Sequence, residues 1–349
     1  MEFNNTTVDD PCLNGVNPEY YHVQYYFYLV QQFIHFIGFF GNLISILAFK
    51  KQAAGITGGF YQQLNIMLID LASIIFYSVG ELGYMFINVW ENNKHLSAQK
   101  NLFLVFLFVH AYTFAFWATT AGVVVINGAC IERLYGLYKP IKYTDTNKKR
   151  LALCMFCFAL FVGFITNVQT FYVHQITWSS SQQIYLVTVS IQAIENPMVK
   201  LMTHLQTFVH LFGLCTLAIF AFLIIFKYKK VIKIHWQSNH NYNKPVAEKA
   251  LTKLLFAQCC INFAGLGGLT VSNILIKMFL IPWCSRAVVI NDFVAYILLA
   301  LQNSSNFLIY FGISKHFRQT VIALFMKKDL VGPRPRNQAR NCALQQTRF

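Results

Sequence analysis

The amino-acid sequence predicts an all-α membrane protein: a seven-transmembrane helix bundle followed by a short amphipathic helix. Three observations predict it. Of the 349 residues, 56% are hydrophobic and only 12% are charged, roughly half the charged share of an average soluble domain. So few charges cannot coat a soluble surface, and 34 Phe against 8 Pro and 18 Gly exclude a disordered or collagen-like chain. Seven apolar runs reach the ~20 residues that a bilayer-spanning helix needs. Finally, 23 of the 28 Lys and Arg fall on alternate connections between these runs and on the segment after the last one, which is the signature of a multi-pass topology.

The first span is expected over Gln24–Phe49, after a segment 1–23 whose first ten residues hold Glu2, Asp9 and Asp10 and no Lys or Arg. Without a positive n-region, no cleavable signal peptide is expected. The next spans are Gln62–Trp90, Leu102–Ile131, Leu151–Tyr172, Leu201–Phe226, Leu251–Ile281 and Val288–Gly312, so the membrane domain covers 24–313. An amphipathic helix over 314–327 and a basic tail over 328–349 follow. No span repeats another. All eight Pro lie in loops, tails or boundaries, so any bend inside a span needs another source. Gly265, Gly267 and Gly268 in span six are the expected soft point.

An odd number of spans puts the termini on opposite sides. The basic connections belong in the cytoplasm, which places the N-terminus outside and the C-terminus inside. The overlapping sequons Asn4-Asn5-Thr6 and Asn5-Thr6-Thr7 agree, making Asn4 and Asn5 glycosylation acceptors on the outer side. Of the nine cysteines, only Cys12 and Cys284 lie in polar segments that would face an oxidising compartment, and they are expected to bond to each other.

Polar groups inside spans are costly and therefore informative. Span three ends in Glu132-Arg133-Leu134-Tyr135-Gly136-Leu137-Tyr138-Lys139-Pro140-Ile141-Lys142-Tyr143. An adjacent acid and Arg at an inner helix end can act as a switch: Glu132 holds the guanidinium until a partner offering carbonyl groups draws it away. The plainer alternative is a charge pair that anchors the helix in headgroups. This stretch resembles the acid-Arg-aromatic signature of rhodopsin-like (class A) G-protein-coupled receptors, with Leu137, Pro140 and Tyr143 at matching spacing and Leu134 replacing the usual aromatic. Gly41-Asn42, Asp70 and Asn306-Phe307-Leu308-Ile309-Tyr310 resemble further family landmarks, Phe307 standing where the family has Pro.

The resemblance implies a hydrated polar core of Asn42, Asp70, Asn303, Ser304 and Asn306, which in the family often holds a sodium ion. One family ligand, a Ser, is Gly122 here, so the core follows from the resemblance and the ion does not; no other cofactor is expected. Asp70 can equally be a buried acid without an ion. The resemblance also implies that Glu248, at the start of span six, pairs with Arg133 at rest. Glu81 lies eleven residues beyond Asp70, about three turns and roughly 16 Å further out on the same face. It is either a counter-charge for a cationic ligand group or a side chain that snorkels to the interface. His110, Tyr112, His204 and Tyr296 fall in outer halves, as ligand contacts or as packing polarity.

Ala115 stands where an amine receptor needs Asp, and span seven lacks the Lys of an opsin. The chain thus resembles divergent invertebrate receptors, similar to nematode serpentine chemoreceptors and FMRFamide-type peptide receptors. The expected function is reception of an extracellular small-molecule odorant or neuropeptide and activation of a heterotrimeric G protein. The alternative is a multi-pass transporter, which favours inverted repeats and midplane charges, or a ligand-gated channel. No enzyme is expected, since there is no zinc motif, nucleophile-base pair or phosphate loop, and Cys154-x-x-Cys157 has no second pair. The net charge of +15, carried mostly by the inner loops and the C-terminal segment, points to membrane lipid rather than nucleic acid.

Overall fold

No Pro lies inside the apolar runs to break the helical hydrogen-bond ladder, and the first six runs each form one long helix, whereas the seventh is broken at Ser305. The computed structural model describes residues 18–52, 59–91, 98–138, 147–179, 184–189, 195–238, 244–278 and 286–326. Asn4, Asn5, Cys12, Pro140, Tyr143 and Cys284 lie outside the described residues. The helices are α1 (Pro18–Gln52), α2 (Gly59–Glu91), α3 (Ala98–Tyr138), α4 (Lys148–Asn167), a single turn α5 (Thr170–Val173), α6 (Pro197–Ser238), α7 (Lys244–Met278), α8 (Arg286–Ser304), α9 (Asn306–Ile313) and α10 (Lys315–Phe325). Among the described residues, six helices are long and apolar enough to cross a membrane, and the α8–α9 pair, bent by 51°, makes a seventh if it is one span.

The protein is nearly all-helical, with one departure from the all-α expectation. Strands β1 (His174–Ser179) and β2 (Ile184–Val189) form an antiparallel hairpin in register from His174↔Val189 to Ser179↔Ile184. Its residues carry the β-branched and aromatic side chains that favour strands. The hairpin rests on α3.

Outward-facing side chains explain why the molecule suits lipid. Phe158, Phe161, Phe222 and Phe226 are each 60% or more exposed, and helices apolar on every side belong in a membrane or a large core. Inside, Ile66, Ile69, Val125, Ile126, Leu217, Ile224 and Leu255 form one core shared by α2, α3, α6 and α7. Helix α4 reaches α3 through Gly163, where a Cβ would sit 2.7 Å from the Trp117 carbonyl oxygen. The Trp117 indole N–H donates to the Leu160 carbonyl at 2.7 Å across the same contact.

The bend does not fall at the span-six glycines, since α7 runs through Gly265, Gly267 and Gly268 as one helix. It falls at Ser305. There the backbone N–H makes a long i−3 bond to the Gln302 carbonyl, 3.4 Å, and the Ser305 hydroxyl donates to that carbonyl at 3.0 Å. The Asn42 amide donates to the Asn303 carbonyl at 2.8 Å. Paired serines and an inserted side chain are recognised causes of sharp kinks, and here they stand in for the missing Pro.

Candidate functional site

The kink turns polar residues toward α1, α2 and α7, and one hydrogen-bonded set results. The Asn306 amide donates to Asp70 Oδ2 at 2.6 Å and to Asn42 Oδ1 at 3.2 Å. From α7, Gln258 donates to Asn306 Oδ1 and to the Tyr310 hydroxyl, both at 3.1 Å. Tyr310 in turn donates to Gln63 Oε1 on α2. One turn along α7, Asn262 Oδ1 accepts from Gln302 at 2.7 Å. All of these side chains are buried.

The set joins four of the five core residues expected from sequence: Asn42, Asp70, Asn306 and, through its carbonyl, Asn303. The fifth, Ser304, packs its hydroxyl against Gly38 of α1. Among the described residues, several buried atoms have no hydrogen-bond partner: Gln258 Oε1, Gln302 Oε1, Asn303 Nδ2, Ser73 Oγ and Ser304 Oγ. Buried polar atoms need partners, so this is a core that takes in water or re-pairs its amides. For a sodium ion, Asp70 and Ser73 offer oxygens one turn apart on α2. Gly122 offers none and faces the Ile69 side chain, which a Cβ there would meet at 3.5 Å.

The same end of the molecule carries the acid-Arg pair. Asn65 of α2 donates to the Ala152 carbonyl of α4 at 2.9 Å, and Cys130 of α3 meets Cys259 of α7, so these helix ends lie together. Glu132 is buried and Arg133 half-buried in the final turns of α3. Glu248 belongs to the first turns of α7, but its side chain is outside the described residues. Helix α10 is fastened beneath: Phe317 packs on Phe49 and Tyr310, and Arg318 donates to the Phe311 and Gly312 carbonyls at 2.8 and 2.9 Å. Those contacts cap α9, whose last carbonyls would otherwise lack partners.

A second cluster lies toward the opposite ends of α1 and α2. Glu81 is turned into the helix packing and not toward the headgroup level. Gln32 donates to its Oε2 at 2.6 Å, and His35 Nδ1 stands 3.6 Å away. The Tyr77 ring is its neighbour, with His35, Tyr112 and Tyr296 at centroid distances of 6.1, 5.9 and 6.4 Å. Thus Glu81, Tyr112 and Tyr296 come together, whereas His110 lies against Phe106 and Phe171 and His204 is exposed on α6.

Sequence reasoning missed Gln63, Gln258, Asn262 and Gln302 in the core, and Gln32, His35 and Tyr77 in the second cluster. It also missed a third set: Thr120 and His210 Nε2 are 2.9 Å apart, Asn167 donates to Thr120 at 3.1 Å, and Gln206 donates to Asn167 at 2.7 Å. The available signal was the one that singled out Asp70, a polar side chain inside an apolar run. Compared with known proteins, the chain matches no protein-family model and no curated protein.

Proposed function

We propose that the protein is a rhodopsin-like G-protein-coupled receptor of the plasma membrane, a seven-span bundle with its N-terminus outside and its C-terminus in the cytoplasm. The observation that carries the reading is the set Asn42, Asp70, Asn306, Gln258, Tyr310 and Gln63. It links Asn42, Asp70, Asn306 and Tyr310, which the resemblance marks as landmarks, to one another and, through Gln258, to α7.

The mechanism follows from what holds α7. An odorant or neuropeptide binding among Glu81, Tyr77, Tyr112 and Tyr296 favours one packing of the outer half. The inner part of α7 then swings outward, breaking the Gln258 bonds to Asn306 and Tyr310 and freeing Arg133 from Glu132 for the G protein. A hydrogen bond is worth about 0.5–1.5 kcal/mol net, so two of them are within reach of a ligand that prefers the open packing by a few kcal/mol. Lys315, exposed at the start of α10, is the cation offered to the anionic inner leaflet, the lipid partner of the reading.

The test is the intact receptor in cell membranes with a promiscuous heterotrimeric G protein, screened against amidated peptides and small odorants. Arg133→Ala should abolish nucleotide exchange while surface expression persists; exchange that survives the substitution overturns the mechanism. The second reading, a multi-pass transporter or ligand-gated channel, draws on the α8–α9 kink facing Asp70, because transporters place substrates at broken helices. Solute uptake or current in proteoliposomes without any G protein would favour it.

A further inference from the structure

Among the described residues, the free cysteines divide sharply. Cys154, Cys157, Cys215 and Cys260 are exposed, whereas Cys130 and Cys259 are 0% and 3% exposed. The buried two face each other across the α3–α7 contact, with their sulfurs 3.6 Å apart. The pair belongs to the core shared by α2, α3, α6 and α7. It sits one turn before Arg133, and Cys259 is the residue after Gln258. Bond formation to about 2.05 Å takes roughly 1.5 Å of approach from the observed separation.

We propose that Cys130 and Cys259 are a redox modification site: a hydroperoxide converts the pair to a disulfide that staples α3 to α7 beside the Glu132-Arg133 pair. Burial selects the co-reactant, since only a small, uncharged, membrane-permeant oxidant reaches these sulfurs. One thiol gives up its proton and attacks the terminal peroxide oxygen, the O–O bond breaks, an alcohol leaves, and a sulfenic acid remains. The second thiol attacks that sulfur, the S–O bond breaks and water leaves. Two thiols and one hydroperoxide thus become a disulfide, an alcohol and water; a dithiol reductant reverses the bond. The regulatory consequence rests on the receptor reading: the staple holds the inner part of α7 against α3 and silences coupling.

The full chain in membranes is exposed to tert-butyl hydroperoxide, quenched with N-ethylmaleimide and mapped without reduction. The expected result is a peptide linking Cys130 to Cys259 and a rise in thermal stability on the order of 5 °C, because the bond closes a long loop. Both should be reversed by dithiothreitol. They should vanish in Cys130→Ser and in Cys259→Ser and persist in Cys260→Ser, which serves as the neighbouring control. Thiols that remain alkylatable, a link through Cys260 or between two chains, or a link with no thermal shift overturns the proposal. Basal nucleotide exchange is read on the same samples. A several-fold loss on oxidation, absent in Cys259→Ser, supports the silencing, and exchange unchanged by a complete link overturns it. No exchange even in reduced protein counts against the receptor reading alone, with the dithiol standing on the link and the thermal shift.

Discussion

At the scale of single residues, Asn306 and Tyr310 each join α9 to more than one other helix. The Tyr310 hydroxyl donates to Gln63 and accepts from Gln258. Tyr310→Phe keeps the ring packing on Phe49 and Phe317 and leaves Gln63 Oε1 without its donor. The expected loss is about 1–3 kcal/mol, seen as a lower melting temperature in detergent. In a double-mutant cycle with Gln63→Leu, the two losses should fall short of additive by at least ~0.5 kcal/mol; full additivity would deny the contact. Asp70 was legible in the sequence because a carboxylate in lipid is expensive whatever its neighbours, whereas Asn42 and Asn306 were legible through the family resemblance, and Gln63 and Gln258, which stand at no landmark, were not. The direction a side chain faces was less legible. His204 and His210 share one helix, yet the first is exposed and the second is buried against Thr120. A helix apolar on every side gives no stripe from which to read that difference.

At the scale of elements, close approach decides where substitution is tolerated. At Gly163, an Ala Cβ would press on the Trp117 carbonyl and indole, and overpacking of this kind costs about 1–3 kcal/mol. At Gly267 a Cβ meets nothing within 4 Å, and Gly→Ala in a helix gains about 0.5–1 kcal/mol. Thermal unfolding should therefore fall for Gly163→Ala and hold or rise for Gly267→Ala; a fall in both would mean that α7 needs its glycines for bending. The span-six glycines drew attention in the sequence because Gly is the familiar helix weakener. The kink came instead from Ser305 and an Asn42 side chain some 260 residues away in the chain, a cause no local window contains. The hairpin was less legible because its two strands are six residues each, far short of the run length by which a membrane span announces itself.

At the scale of the whole molecule, seven apolar runs and their flanking charges carried most of what could be known in advance. Most span edges lie further out than the apolar runs, the run expected at Leu102–Ile131 belonging to a helix of 41 residues, Ala98–Tyr138, whereas the fourth helix ends at Asn167, before the expected Tyr172. Orientation has a direct check. Protein made in eukaryotic cells should lose apparent mass on treatment with an N-glycosidase, and the joint substitution Asn4→Gln and Asn5→Gln should remove that shift. Glycosylation elsewhere with an unmodified N-terminus would reverse the assignment of sides.

The Asn306 bond to Asp70 also sets an order of events during synthesis. The two residues are 236 positions apart, so at 5–20 residues per second the ribosome takes roughly 10–50 s to make the second after the first. Throughout that interval Asn42 and Asp70 are without the partners they have in the finished protein. What exists early is the frame of α2, α3 and α4, joined by the Asn65 bond to Ala152 and the Trp117 bond to Leu160. The last third of the chain then closes onto this frame, and any truncation before Asn306 leaves a carboxylate and an amide stranded in the nascent bundle, a mark by which cellular quality control can recognise an unfinished chain.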